Sequence, residues 1–144
     1  DYSAGVAGQF VRVNAGGTGL EYAALSTPQT TTLTVAVSGT QVLTFAALAP
    51  AGATVQGVTW RVSTTFTGGV TGLLVGDSTV NDRWGVASAV TAGTTGGSAA
   101  WRGQGGFTVA SAYSVLVALT GGAVGAAGAV TCACTWLPAL TPPA

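Results

Sequence analysis

Val55-Gln56-Gly57-Val58-Thr59-Trp60-Arg61-Val62-Ser63-Thr64-Thr65-Phe66 decides the fold class. Val58, Trp60, Val62 and Phe66 fall on one side of an extended chain, and Thr59, Arg61, Ser63 and Thr65 on the other. A period of two marks a half-buried β-strand. Thr67-Gly68-Gly69 ends it with residues that favour a turn.

The same grammar extends in both directions. Upstream, Thr30 to Ser38 is rich in β-branched residues, with Leu33, Val35 and Val37 on one face. Gly39-Thr40 turns the chain, and Gln41 to Ala46 returns it. Ala49-Pro50-Ala51-Gly52 is a second turn. Downstream, Val70 to Val75 is a short strand that runs into the loop Gly76 to Gly85. Gly85 to Val90 resumes extended structure, and Thr91 to Gly97 reads as a Gly/Thr loop. Ser98 to Arg102 and Phe107 to Val109 flank a turn at Gly103-Gln104-Gly105-Gly106. Tyr113 to Leu119 is expected to pair with Ala129 to Trp136 across the Gly121 to Gly128 connection. About nine or ten short strands with Gly-rich turns and no helix-period segment predict an all-β antiparallel sandwich or jelly roll.

Residues 1–26 read as a separate connector. Gln9 to Val13 alternates, Asn14-Ala15-Gly16-Gly17 turns, and Gly19 to Ala24 runs on. An isolated hairpin of this size is marginal in water, so it needs neighbours. Ser26-Thr27-Pro28-Gln29 is the joint, and residues 27–144 form the head domain. Asp1 begins a chain without Met, so it is expected to be a piece of a longer protein.

Composition excludes several functions. Charged residues are 6% of 144, with four Arg, four acidic residues and no Lys or His. A typical share is roughly 25%. Four dispersed Arg cannot form the basic stripe that nucleic acid requires. So little charge suits a chain that hides surface in an assembly. Val115 to Trp136 is apolar enough to be weighed as a membrane span. Its glycines and its Val- and Thr-rich ends favour two strands instead.

Few residues offer chemistry. Without His, the usual base near neutral pH is missing. Asp77 and Asp82 could approach the spacing of about 5 to 10 Å that a glycosidase needs, but capping of turns is the favoured role for both. Asp77, Asn81 and Asp82 offer fewer oxygens than the roughly six to eight that Ca²⁺ takes. Asp82-Arg83 reads as a local ion pair. Trp84 and Trp101 each adjoin an arginine, Arg83 and Arg102, which suits sugar stacking with polar recognition. Packing is the competing role for both indoles. Cys132 and Cys134 lie on one strand face with Cα atoms about 6.6 Å apart, badly aimed for a disulfide. They read as small buried side chains.

Gly8-Gln9-Phe10-Val11-Arg12-Val13-Asn14-Ala15-Gly16-Gly17-Thr18-Gly19-Leu20-Glu21-Tyr22 resembles a short element of phage tail-fibre and spike proteins. Pro50 to Thr59, and Gly76-Asp77 followed by Asp82-Arg83-Trp84-Gly85, resemble a C-terminal domain of phage and gene-transfer-agent fibres. The resemblance implies a β-sandwich head, homotrimeric assembly, other virion tail proteins as partners and attachment to a host-surface glycan. It implies a virion tail-fibre or spike protein, assembled in the host cytoplasm. On this reading Asp77, Asn81, Asp82, Arg83, Trp84, Trp101 and Arg102 line the glycan site. No catalytic residue, cofactor, metal or membrane insertion is expected. A ligand-free head-fibre, collar or decoration module is the structural alternative, and a polysaccharide depolymerase fragment is a third.

Overall fold

Strand follows strand in the computed structural model, which describes residues 9–13, 16–24, 27–99 and 106–139. The order is β1 (Gln9–Val13), β2 (Leu20–Ala24), β3 (Gln29–Ala36), β4 (Val42–Ala49), β5 (Thr54–Thr64), β6 (Gly68–Gly76), β7 (Gly85–Ala87), β8 (Thr95–Ala99), β9 (Phe107–Thr108), β10 (Tyr113–Val124) and β11 (Ala129–Leu137). The alternation that defines β5 is realised in its burial. Val58 and Val62 are fully enclosed and Trp60 nearly so, while Thr59 and Arg61 face out.

The pairing is non-local. β3 pairs with β11, β4 with β10, β5 with β8 and β6 with β7. First joins last, second joins second-last, and so on inward. Folding this ladder over on itself adds the pairs β11–β5 and β10–β6. Two antiparallel sheets result, β4-β10-β6-β7 and β3-β11-β5-β8, with β9 beside the start of β5. This is the jelly-roll arrangement. Between the sheets lies a core dominated by Val and Leu, from Leu43 and Phe45 through Leu73 and Val75 to Val115, Val117 and Val130.

This topology corrects two expected hairpins. β10 and β11 do not pair with each other but sit in opposite sheets. Both alternate, with Tyr113, Val115, Val117 and Leu119 inward on one and Val130, Cys132 and Cys134 inward on the other. Two strands that each bury one face fit a two-layer core from either side. The crossing segment is fixed by backbone bonds, Thr67 N–H to the Ala127 carbonyl at 3.0 Å and Val37 N–H to the Gly128 carbonyl at 2.9 Å. Gly128 has φ +146 and the Phe66 ring fills the place of a side chain. β3 and β4 likewise belong to opposite sheets. β3 is an edge strand, which leaves Leu33 exposed while Val35 and Val37 pack on the core.

Gly96 and Gly97, expected in a loop, lie within β8 and pair with Trp60 and Thr59. Glycine weakens a strand unless something approaches closely. Here the Trp60 ring lies against Gly96 where any side chain would have to sit. β4 carries the one left-handed non-glycine residue among those described, Ala47 at φ 53. Its N–H bonds the Ser114 hydroxyl at 3.2 Å, and the β4–β10 register shifts there as in a bulge.

The expected N-terminal hairpin forms its own two-stranded sheet. Val13 lies opposite Leu20 and Val11 opposite Tyr22. The apolar stretch from Val115 to Trp136 is occupied by strands. Among the described residues no helix is long and apolar enough to cross a membrane.

Candidate functional site

The loop between β6 and β7 folds around one carboxylate. Asp77 is the one charged side chain buried among the described residues. Its Oδ1 accepts the N–H groups of Thr79 and Val80, both at 2.9 Å. This is the turn-capping geometry expected of Asp. The Asp77 N–H in turn bonds the Val80 carbonyl at 2.9 Å, and the Trp84 N–H returns to the Val75 carbonyl at 2.8 Å. The loop is therefore closed at both ends by backbone bonds.

The other carboxylate oxygen ties the loop to the far side of the sheet. Asp77 Oδ2 accepts the Tyr113 hydroxyl at 2.9 Å, and that hydroxyl accepts the Trp84 indole N–H at 2.8 Å. The Trp60 indole N–H donates to the Trp84 carbonyl at 3.1 Å. Phe107 fills the remaining gap, stacked on Trp84 at 6.1 Å between centroids and edge-on to Tyr113 at 5.5 Å. Four aromatic side chains from β5, β9, β10 and the loop thus form a knot in which every buried polar atom of Trp60, Trp84 and Tyr113 has a partner. Unpartnered, each would cost about 1–3 kcal/mol.

Arg83 completes the knot. Its Nε lies 2.6 Å from Asp77 Oδ2, although the N–H is not directed at an acceptor, so the contact is ionic rather than a directional hydrogen bond. The guanidinium carbon sits 4.9 Å from the centre of the Phe107 ring, within cation–π range. The ion pair expected between Asp82 and Arg83 is corrected: Asp77 is the partner, while Asp82 and Asn81 face solvent. Asp82 contributes its backbone carbonyl, which accepts the Gly85 N–H at 3.0 Å.

Opposing effects set the charge on Asp77. Burial disfavours the carboxylate, but the Val80 and Thr79 N–H groups, the Tyr113 hydroxyl and the Arg83 charge outweigh it. The carboxyl therefore titrates below the ordinary Asp range. Burial is the main reason that the Tyr113 phenol is pushed far up, with Asp77 adding to it against the Trp84 bond. The Tyr113 hydroxyl is thereby held in the protonated form that donates to Asp77. Burial also raises the unpaired thiols of Cys132 and Cys134, to about 12 and about 11. They are inert small core side chains.

Of the expected glycan-site residues, the structure brings Asp77, Arg83 and Trp84 together but turns them inward. Trp84 is 1% exposed and offers no face to a sugar in solvent. The reason is its indole N–H, which finds Tyr113 beneath the loop rather than water above it. Trp101 and Arg102 lie outside the described residues. Among the described residues no cluster of three metal-ligating side chains occurs. Tyr113 and Phe107 were not singled out by sequence. Tyr113 lies 36 positions from Asp77, and only its place on the inward parity of β10 hinted at burial.

Beside the knot a groove of about 440 Å³ opens to solvent. Ser78, Thr79 and Arg83 line one side and Ser111 the other, and the groove continues onto the outer face of β10 at Ser114 and Leu116.

An antiparallel jelly roll with a tied loop at one sheet edge is thus the class of protein defined. No family model matches the chain, and no curated protein matches it. Among solved structures it is similar to a chain of the cyanophage Pam1 capsid asymmetric unit. The TM-score is 0.55 at 22% identity, over 86% of this chain and 96% of that one. At that identity the likeness is one of fold.

Proposed function

We propose that the chain is a surface module of a bacteriophage virion, a jelly roll that decorates the head and has no catalytic role. The observation that carries this reading is the extent of the match. A chain from a phage capsid assembly is covered almost end to end by this one, so the two jelly rolls agree in size as well as class. Two features support it. A chain with only 6% charged residues presents a surface that loses little hydration when covered. Asp77, Arg83 and Trp84 of the 77–84 loop are held in one knot with Tyr113 and Phe107, which suits a stiff fold rather than a reacting centre. The module works as a homotrimer, the assembly implied by the fibre resemblance.

A second reading is a trimeric tail-fibre or spike tip that attaches to host polysaccharide. The groove beside Asp77 favours it. Antibody against the chain, applied to particles separated into heads and tails, distinguishes the two. Label on heads is expected. Label confined to tail tips would overturn the head assignment in favour of attachment. Light scattering on the purified chain checks the trimer, and a monomer at micromolar concentration contradicts it.

A further inference from the structure

We propose that the groove beside the Asp77 knot binds a neutral saccharide unit. This supplies the site that the second reading requires and in that respect rests on it. Sugar binding in solution and position on the particle are separate measurements, so either can fail alone.

Size comes first. The groove holds about 440 Å³, within the range of roughly 300–1,000 Å³ usual for small-molecule sites. Charge narrows the ligand class. Among the described residues, the only charged side chains lining the groove are Asp77 and Arg83, and they neutralise each other at 2.6 Å. An anion would compete with Asp77 for Arg83, and a cation would meet Arg83. A purely apolar ligand would cover hydroxyls and a guanidinium without giving them partners, which is unfavourable for each. A neutral molecule rich in hydroxyls is what remains.

The donors are in place. Arg83 meets Asp77 through Nε, and its two terminal amino groups have no protein acceptor among the described residues. The hydroxyls of Ser78, Thr79 and Ser111 are likewise without a protein partner among the described residues. Between them Val109, Ala112 and Leu116 give an apolar floor for sugar C–H groups. Arg83 is already held between Asp77 and the Phe107 ring. Less side-chain freedom is therefore lost when it binds. That arrangement also covers the Phe107 face with a cation, so among the described residues the groove offers no free aromatic platform. One site is therefore weak, and useful attachment comes from several copies on one particle.

Saturation-transfer NMR on the full chain tests this. Glucose, galactose, N-acetylglucosamine and rhamnose are offered singly at about 10 mM, above a single-site Kd of roughly 1 mM, with galacturonate as the anionic comparison. Transfer to at least one neutral sugar is expected, and none to galacturonate alone. Ser111→Trp places an indole in the groove from an exposed loop position. It is expected to weaken transfer at least tenfold with the melting temperature unchanged. Arg83→Lys keeps the charge facing Asp77 but removes the forked donors, and should weaken transfer severalfold. No transfer to any neutral sugar, or undiminished transfer from the Ser111→Trp protein, overturns the proposal. If no sugar binds and Ser111→Trp instead blocks attachment to heads, the groove seats a protein neighbour and the saccharide site is wrong.

Discussion

Between β6 and β7, Asp77 and Trp84 turn inward and find their partners within the chain, and Arg83 meets Asp77 from a partly exposed position. Across the outer face of β3 and β11, threonines turn outward. Thr34 and Thr131 share a hydrogen bond at 2.7 Å, and Thr30 and Thr135 one at 3.4 Å. Thr59 and Arg61 continue that face on β5. Both regions are polar, but water can replace every partner on the threonine face and almost none in the loop. Polarity in the loop therefore specifies one structure. On the face it provides a stiff, nearly uncharged surface that is cheap to cover.

That contrast predicts a graded series of effects. Trp84→Ala should be the most damaging, because it empties a buried indole site and removes the donor to the Tyr113 hydroxyl. A loss of about 3–5 kcal/mol is expected in urea unfolding at neutral pH. A loss below 1 kcal/mol would mean that the loop does not pack as described. Asp77→Ala comes next, at about 2–3 kcal/mol, the low side of a buried-pair deletion because Arg83 is partly exposed.

The acid limb sharpens the same point. The folded Asp77 carboxyl titrates below its unfolded value. The folded state thus holds fewer protons in the interval between the two values. Its contribution is complete above the unfolded value, about 4. It is lost as pH falls through the lower folded one. Urea midpoints between pH 7 and pH 2 should fall less steeply below pH 4 for Asp77→Asn than for the parent chain. Parallel curves would remove Asp77 from the account.

Gly96→Val is a test away from the loop. The added side chain would meet the Trp60 ring, so a loss of about 1–3 kcal/mol is expected. Thr131→Val, at the centre of the threonine face, keeps the β-branched shape and removes one hydroxyl pair. It should change stability by no more than about 0.5 kcal/mol. A larger loss would make the threonine ladder a structural element in its own right.

What could be read from sequence was what lies within one strand. The parity of β5 named Val58, Trp60 and Val62 as inward, because a period of two depends only on local geometry. The pairing of β10 and β11 could not be read in the same way. Two alternating strands joined by a short Gly-rich segment fit a hairpin and a sheet-to-sheet crossing equally well, and only the rest of the ladder chooses. Gly96 and Gly97 misled for a related reason, since the Trp60 ring beside Gly96 and the Val58–Thr59 backbone beside Gly97 are distant in sequence. At the site, the capping role of Asp77 was legible because an Asp side chain in a turn bonds its own nearby backbone. Burial of Trp84 was not, because it depends on Tyr113, which arrives on β10. Composition drew attention to the loop, charge and aromatics in a bland chain, but it did not show that Trp84 lies buried beneath it.

The central claim is that this loop is a lock turned inward. Hydrogen exchange of the Trp84 indole proton tests it most directly, with the signal assigned by loss in Trp84→Phe. With 1% exposure and a 2.8 Å bond to Tyr113, it should exchange as slowly as the Trp60 indole, near the limit set by global unfolding. Exchange within seconds at neutral pH, while the Trp60 proton stays protected, would show that the loop opens to solvent and would contradict the account.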